Sequence, residues 1–266
     1  MNLKIDFACL SDTGKVREKN EDSALVDEAL ELAIVADGMG GHNSGEVASS
    51  IAIKVTRDKY DSMRRTNMKP SPFDDKYLLE TNQLGFAVQL ANSVIYEAGK
   101  STENNKGMGT TLTAALLKGD RLCIAHIGDS RLYIFRAGAL SQITEDHSLV
   151  MDYVRKGLLT REQAEKSSKQ NILTRALGSQ KSPVVDLFET VLQEGDRLLM
   201  CTDGLFKTVS EPKTAEILQG NASDREACES LVETANINGG VDNVTVIVGT
   251  VGKKTLKESF KDMFKR

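Results

Sequence analysis

The first residues of the chain combine alternating and continuous hydrophobic patterns. Leu3, Ile5, Phe7 and Cys9 alternate with polar or small residues, and this period of two predicts a β-strand. The short apolar run Leu32–Ala36 is typical of a buried strand. The chain is therefore expected to open with sheet structure.

Two long helices are predicted next, separated by a loop at Lys69–Asp75 that contains two prolines. The first helix spans Ser44–Arg65. Its first residue is a suitable N-cap, and Val47, Ile51 and Val55 recur at intervals of four. One face of the second helix carries Leu84, Ala87, Ala91, Val94 and Ala98.

The later part of the chain alternates strands with short helices. The predicted strands are Thr110–Leu117, Arg121–Ile127, Arg131–Phe135, Val184–Val191, Arg197–Cys201 and Asn243–Val251. The predicted helices are His147–Arg155, Thr160–Lys166 and Ser223–Ala235. Many strands joined by short turns indicate a mixed α/β domain with much antiparallel pairing.

Composition limits the classes of function. The chain has 266 residues, of which 40% are hydrophobic and 27% charged, and this is the balance of a globular protein with a sizeable core. The formal net charge of −4 argues against a nucleic-acid-binding protein. No cationic, apolar leader and no run long enough to span a membrane stand out, so a cytoplasmic protein is expected.

The four cysteines are widely separated and include no CxxC pair. They are Cys9, Cys123, Cys201 and Cys228. Because three of them lie in apolar runs, we expect small buried side chains rather than a zinc site.

Acidic residues next to buried strands carry the candidate chemistry. Asp37, Asp129 and Asp203 each end an apolar run, and Asp242 precedes the last predicted strand. A carboxylate near a core is costly unless it is paired or bound to a cation. Several carboxylates without cysteine or histidine partners favour a hard ion such as Mg²⁺ or Mn²⁺. An isolated Asp-Gly pair is usually only a turn, so the four aspartates indicate a metal site only if they meet in space.

Ordered motifs around these aspartates cover the chain from about Asp6 to Val248. They are Ser11–Gly14, Arg17–Asp22, Val35–His42, Gly107–Thr111, Ala125–Arg131, Thr144–Leu149, Leu173–Gly178, Thr202–Leu205 and Gly239–Thr245. In this order they resemble the metal-dependent serine/threonine protein phosphatases, the PPM or type 2C family, and most closely its bacterial members.

This resemblance implies a fold, an activity and a cofactor. The expected fold is an α/β (α+β) sandwich of two antiparallel sheets flanked by helices on both sides. The expected activity is hydrolysis of phosphoserine and phosphothreonine on proteins by a hydroxide that bridges two Mn²⁺ or Mg²⁺ ions, without a phosphoenzyme. The expected partners are phosphorylated proteins, together with a serine/threonine kinase that the enzyme opposes.

The resemblance also assigns metal ligands. Asp37 is similar to the carboxylate that bridges both ions, and the Gly38 carbonyl to a ligand of one of them. Asp203 and Asp242 resemble ligands of the other ion. Asp129, together with Asp203, resembles the site of a third, weaker ion.

Three further residues receive roles in the same way. Glu21 and Asp22 resemble outer groups that act through metal-bound waters. Arg17 resembles the arginine that holds the substrate phosphate, for which a guanidinium fork is well suited. Arg17, Asp37 and Asp203 are accordingly the residues expected to act in catalysis.

Histidine does not follow the Asp-Gly step as it does in many eukaryotic members, since Met39 stands there and cannot serve as an acid. His42 is as readily a turn histidine as an acid, whereas His126 and His147 are expected to be structural. The general acid therefore stays open. The segment Met151–Asn171 resembles the family's flap beside the active site.

Three alternatives to a general protein phosphatase are a pseudophosphatase that binds phosphoproteins without turnover, a nuclease-like phosphoesterase, and a phosphatase that acts on a specific regulator in a partner-switching system. The presence of Asp37, Asp203 and Asp242 argues against the first, and the acidic net charge argues against the second. The sequence does not separate the third from the expected enzyme.

The domain is expected to span residues 1–252, followed by a basic amphipathic tail over 253–266. Contact of this tail with a partner or an anionic membrane competes with a short helix on the domain or a frayed end.

Overall fold

Two antiparallel sheets, each covered by helices on its outer face, form the framework of the protein. The computed structural model describes residues 3–40, 44–101, 105 and 107–255. The strands are β1 (Leu3–Asp12), β2 (Asp22–Asp27), β3 (Leu32–Met39), β4 (Gly109–Thr110), β5 (Leu112–Lys118), β6 (Arg121–Ile127), β7 (Arg131–Arg136), β8 (Ala139–Gln142), β9 (Asp186–Val191), β10 (Arg197–Cys201) and β11 (Val244–Lys253). The helices are α1 (Ser44–Thr66), α2 (Leu79–Ser101), α3 (Leu149–Arg155), α4 (Arg161–Glu165), α5 (Asp203–Phe206), α6 (Glu211–Gly220) and α7 (Asp224–Ile237).

The strand order explains which chain segments meet. The first sheet has the order β1-β11-β10-β7-β8, and the second has the order β2-β3-β5-β6-β9, with β4 paired to β3. All strand pairs are antiparallel. The expected sandwich of two antiparallel sheets with helices outside is confirmed.

Strand β3 shows why the core has several layers. Leu32, Ile34 and Ala36 pack against α1 and α2, whereas Ala33 and Val35 face the other sheet. Alternate residues of a strand point to opposite faces, so a strand buried on both faces must be apolar throughout. The run that predicted a buried strand is therefore the centre of the second sheet.

Strand β10 plays the same part in the first sheet. Leu198 and Met200 face the space between the sheets, while Leu199 and Cys201 pack under α6 and α7. The order of layers is therefore helices, sheet, sheet, helices. Both sheets are held by apolar contacts on two sides, which leaves strand ends and loops for polar chemistry.

The predicted face of α1 lies one residue away from the buried one, whereas the predicted face of α2 is confirmed at Leu84, Ala87 and Ala91 and wrong at Val94. Val47 is 41% exposed and Val94 is 45% exposed, whereas Ala48, Ala52 and Ile95 are fully buried. Small side chains on the inner face of α1 let the helix approach the sheet closely, so the larger valine lies at its border. The larger apolar residues of α1, from which its inner face was predicted, therefore lie at the border of the buried face.

Four elements were not predicted from the sequence: β2, β8, α5 and α6. The two strands lie at sheet edges and are mostly half-buried, which weakens the alternating pattern. The two helices span only four and ten residues. The predicted strand Thr110–Leu117 is divided between β4 and β5.

Cys9 corrects the expectation that all four cysteines are buried. It is exposed on β1, whereas Cys123, Cys201 and Cys228 are buried and all four are free thiols. Strand β1 lies at the edge of its sheet, so its side chains are less fully covered than those of β10.

The end of the described chain reaches beyond the predicted domain boundary at residue 252. Strand β11 continues to Lys253, whose ammonium pairs with Glu194 at 2.5 Å, and Lys254 pairs with Glu31 at 3.0 Å. Most of the predicted tail, residues 256–266, lies outside the described residues. Over the ranges that the structure covers, no helix combines the length and apolarity of a membrane span.

Substitution of neighbouring residues on α2 tests the packing of this helix. Ile95→Ala is expected to lower the free energy of unfolding by about 2–5 kcal/mol, because it leaves a cavity in the core. Val94→Ala, one position away on the exposed face, is expected to change it by less than about 0.5 kcal/mol. Urea unfolding followed by circular dichroism measures both values, and equal losses would contradict the assigned helix face.

Candidate active site

The predicted aspartates meet where the two sheets come together at one end of the sandwich. Asp22 and Asp37 are directly paired across β2 and β3 in the second sheet. Asp203 follows β10 and Asp242 precedes β11, and these strands are neighbours in the first sheet. Asp129 lies in the connection from β6 to β7, which passes between the sheets. The aspartates therefore converge in space, as a shared metal site would require.

Asp22 fastens one sheet to the other. Its Oδ2 accepts hydrogen bonds from Thr202 Oγ1 at 2.8 Å and Thr245 Oγ1 at 2.7 Å, both from the first sheet. Burial raises the pKa of this carboxyl to about 7, although the two threonine hydroxyls oppose the shift. Its Oδ1 is buried and accepts no hydrogen bond from the described residues. Asp22 is thus positioned by the fold and still has one oxygen available.

Asp37 is fixed through its backbone. Its N–H donates to Thr111 Oγ1 at 2.9 Å, and its carbonyl accepts from the Thr111 N–H and the Thr110 hydroxyl, each at 2.9 Å. Loss of hydration, followed by the repulsion of Asp203 and the other carboxylates, raises its pKa well above the usual range. Asp37 lies inside β3 and not at its end, because Gly38 and Met39 continue the strand by pairing with β4.

Two glycines allow the close approach of these segments. A Cβ atom on Gly38 would lie 2.2 Å from the Gly45 carbonyl oxygen, and one on Gly204 would lie 2.0 Å from that of Asn243. Neither distance is possible for a real side chain, so the glycines after Asp37 and Asp203 are required by packing.

Asn243 organises the loop that carries Arg17. Its side-chain oxygen accepts from the Glu21 N–H at 2.9 Å, and its amide donates to the carbonyls of Thr13 at 2.9 Å and Lys19 at 2.8 Å. No role for Asn243 was predicted from the sequence, although an asparagine that directly follows Asp242 and precedes a strand is a signal for such a role. One side chain therefore positions both flanks of the loop.

Glu21 and Asp129 lie at the two sides of the cluster. Partial burial raises the pKa of Glu21, while Arg17 and the Gly45 N–H oppose the shift. Burial raises the pKa of Asp129 to about 8, and the neighbouring Asp203 adds to this increase. Both carboxylates thus favour a cation nearby.

Two basic side chains reach the carboxylates. Arg17 binds Asp242 through Nε at 2.8 Å and through its terminal nitrogen at 2.9 Å. Lys207 forms a salt bridge with Asp203 and lies 3.7 Å from Asp242 Oδ2. No role for Lys207 was predicted from the sequence, although its position four residues after Asp203 would have indicated one had α5 been recognised.

The histidines are bound elsewhere. His126 and His147 are fully buried, and their rings lie 4.8 Å apart. Each ring nitrogen has a hydrogen-bond partner, and these partners are Thr113, the Glu145 carbonyl, the Gly128 N–H and Asp186. Burial lowers the pKa of His126 to about 4, so it is neutral near pH 7. Both histidines therefore have structural positions, and His42 lies outside the described residues.

The donor set fits a divalent-cation centre. Among the described residues, no group of three or more acidic, imidazole or thiol side chains is closed around an ion position as it stands. Nevertheless, Asp203 Oδ1 and Asp22 Oδ1 are buried, and neither has a hydrogen-bond partner in the part of the chain described. Buried carboxylate oxygens without partners are costly, and a hard cation would satisfy them.

Comparison with known proteins decides the family. The sequence profile described as protein phosphatase 2C matches residues 15–236. The chain belongs to the protein phosphatase 2C family. The resemblance inferred from the motifs is thereby confirmed.

Bacterial members of the protein phosphatase 2C family are similar over almost the whole chain. The serine/threonine phosphatase Stp of Listeria monocytogenes is 37% identical over 241 residues, which are 90% of this chain and 92% of Stp. The serine/threonine protein phosphatase PstP of Mycobacterium tuberculosis is 40% identical over 94% of this chain, and the match spans 46% of PstP. A crystal structure of the PstP catalytic domain in complex with two manganese ions has a TM-score of 0.78 and 38% identity, with 95% of this chain and all of that chain covered.

These findings make this protein phosphatase 2C chain an enzyme, a phosphoprotein phosphatase of the hydrolase class. The alternative of a pseudophosphatase receives no support from them.

The raised carboxyl pKa values predict pH-dependent metal binding. As the pH falls through about 8 and then 7, Asp129 and Asp22 gain protons, and Asp37 and Asp203 also hold protons more readily than usual. An arriving cation must displace these protons. The affinity for Mn²⁺ is therefore expected to fall between pH 8 and pH 6 by about tenfold per pH unit for each proton released.

Calorimetric titration with Mn²⁺ in two buffers of different ionisation enthalpy measures both the affinity and the number of protons released. A constant affinity for Mn²⁺ across this pH range, with no proton release, would contradict the raised pKa values of these carboxyl groups.

Proposed function

We propose that this phosphatase hydrolyses phosphoserine and phosphothreonine on proteins and uses two Mn²⁺ or Mg²⁺ ions held between the ends of the two sheets. The observation that carries this proposal is the convergence of Asp37, Asp203 and Asp242, with Arg17 at their edge. When bound, the ions activate a water molecule and offset the negative charge of the phosphate.

We assign the metal-holding roles residue by residue. Asp37 would hold both ions, the Gly38 carbonyl would hold one of them, and Asp203 and Asp242 would hold the other. The buried Asp203 Oδ1, which has no hydrogen-bond partner among the described residues, supports its assignment. These ligands come from both sheets, so the fold itself sets their spacing.

Glu21 and Asp22 orient the ligands rather than supply them. Asp22 is held by two threonine hydroxyls, and its remaining oxygen is buried. Such a carboxylate can accept hydrogen bonds from coordinated water while staying fixed in position.

Arg17 binds the substrate phosphate. Its Nε and one terminal N–H are directed at Asp242, and its side chain is 53% exposed. A guanidinium has five N–H donors, so three are left for phosphate oxygens after these two contacts. The pair with Asp242 thus orients the free side of the fork towards a phosphate bound beside the ions.

The cellular setting follows from this activity. The substrates are phosphorylated proteins, including targets of a serine/threonine kinase that the enzyme opposes in signalling. We place this reaction in the cytoplasm, where such kinases act on their targets. The basic tail over 253–266 is a candidate contact with a partner or an anionic membrane.

Loss of a ligand is expected to abolish activity. Mn²⁺ or Mg²⁺ should support phosphate release from a phosphothreonine peptide, EDTA should stop it, and Asp203→Asn should reduce kcat/KM by more than about 100-fold. Asp75→Asn, at a carboxylate that is 94% exposed, is the matched control and should retain activity. Turnover that persists in EDTA would overturn the metal-dependent mechanism.

Arg17→Ala is expected to lower kcat/KM by about 10²–10³, because it removes a charged donor from the reacting phosphate. Inhibition by inorganic phosphate should weaken in parallel, whereas the number of bound Mn²⁺ ions should stay constant. Arg225→Ala removes an arginine that is 83% exposed on α7 and serves as control. Unchanged phosphate inhibition in Arg17→Ala would exclude the phosphate-binding role.

A further inference from the structure

Lys207 lies one helical turn beyond Asp203 and points back to the carboxylate cluster. Its backbone N–H donates to the Asp203 carbonyl at 3.0 Å, which places both side chains on the same face of α5 and the turn that follows. Its ammonium pairs with Asp203 Oδ2, lies 3.7 Å from Asp242 Oδ2, and its side chain is only 18% exposed. The positively charged Lys207 side chain is thus a fixed part of the site beside Asp203 and Asp242.

The two oxygens of Asp203 have different surroundings. Oδ2 is bound by Lys207, whereas Oδ1 is buried and has no hydrogen-bond partner in the described ranges. One oxygen is therefore available for an ion shared with Asp37 and Asp242, and the other is already neutralised on the side of Lys207.

Asp129 lies on that same side. It lines, together with Lys207, Arg131 and Asp146, a cavity of about 900 Å³ between the α3–α4 segment and the α5–α6 segment. Lys207 and Arg131 line this cavity together with Asp129, so positive charge on this side of the site is supplied by side chains.

We propose that the Lys207 ammonium, held by Asp203 Oδ2, takes the place of a third metal ion that Asp203 and Asp129 would otherwise bind, so that this phosphatase binds two ions and a lysine. The inference rests on the proposed function, in which Asp203 is a ligand of the two ions.

A third dication does not fit beside this lysine. The cavity is large enough for a hydrated ion, so access does not exclude one. However, the ion would have to share Asp203 Oδ2 with an ammonium and lie close to its positive charge, and like charges at such distances repel strongly away from bulk water. Arg131 cannot move away to compensate, because it binds Asp146 through three hydrogen bonds and stacks on Phe206 at 3.6 Å.

Removal of the Lys207 ammonium should therefore allow a third metal ion to bind to Asp129 and Asp203. Lys207→Met keeps a long side chain but removes the charge, and it leaves Asp203 Oδ2 and Asp129 available to a cation. Lys207→Arg keeps the charge and should keep the site closed.

The experiment counts Mn²⁺ bound to the full chain by equilibrium dialysis over a range of free Mn²⁺, with electron paramagnetic resonance as a second count. Wild type and Lys207→Arg are expected to bind two ions. Lys207→Met is expected to bind a third, with an affinity at least about tenfold above any third binding in the wild type. Adding Asp129→Asn to Lys207→Met should return the count to two.

Lys213→Met is the matched control, because it removes an exposed lysine that pairs with Glu216 on α6. It should bind two ions. Three ions in the wild type would overturn the proposal even if Lys207→Met failed to fold, and two ions in folded Lys207→Met would also overturn it. No Mn²⁺ binding by the wild type would refute the proposed metal mechanism itself, which is a separate outcome from three ions in the wild type.

Discussion

The hydrogen bonds from Thr202 and Thr245 to the Asp22 carboxylate are the contact on which the site depends. They join β2 of one sheet to β11 and to the residue that directly follows β10 in the other, at the end of the sandwich where the aspartates converge. Apolar packing between the sheets could tolerate small sliding, but a buried carboxylate with two short hydrogen bonds cannot. The spacing of Asp37 from Asp203 and Asp242 follows from this join.

The carboxylates lie close enough to repel one another. This repulsion is unfavourable for folding, but the same arrangement provides a site for cations. Burial and mutual repulsion raise the pKa values of Asp22, Asp37, Asp129 and Asp203. Arg17 and Lys207 offset part of the negative charge. Bound ions would offset the remainder, so the arrangement of these carboxylates favours the uptake of cations.

The sequence identified the aspartates that converge in the candidate site, but it did not identify the side chains around them. Asp203 and Asp242 stand beside apolar strands, a pattern that depends only on nearby residues. Lys207 could not be assigned, because its role depends on a four-residue helix that carries no periodic pattern. The helix face at Val47 was wrong by one residue because packing favoured the small Ala48, and Cys9 is exposed because β1 is an edge strand. Contacts set by tertiary packing leave little trace in local sequence.

The proposed metal ligands are divided between the two sheets, and this division would give the ions a second role. Asp37 belongs to β3, whereas Asp203 and Asp242 flank β10 and β11 in the opposite sheet. An ion held by all three would be a reversible cross-link between the two sheets, and unfolding would have to break it. Thermodynamic linkage then makes global stability rise with free metal, by about 2.7 kcal/mol at a concentration one hundred times the dissociation constant. Metal scarcity would therefore lower the abundance of the folded enzyme as well as its turnover.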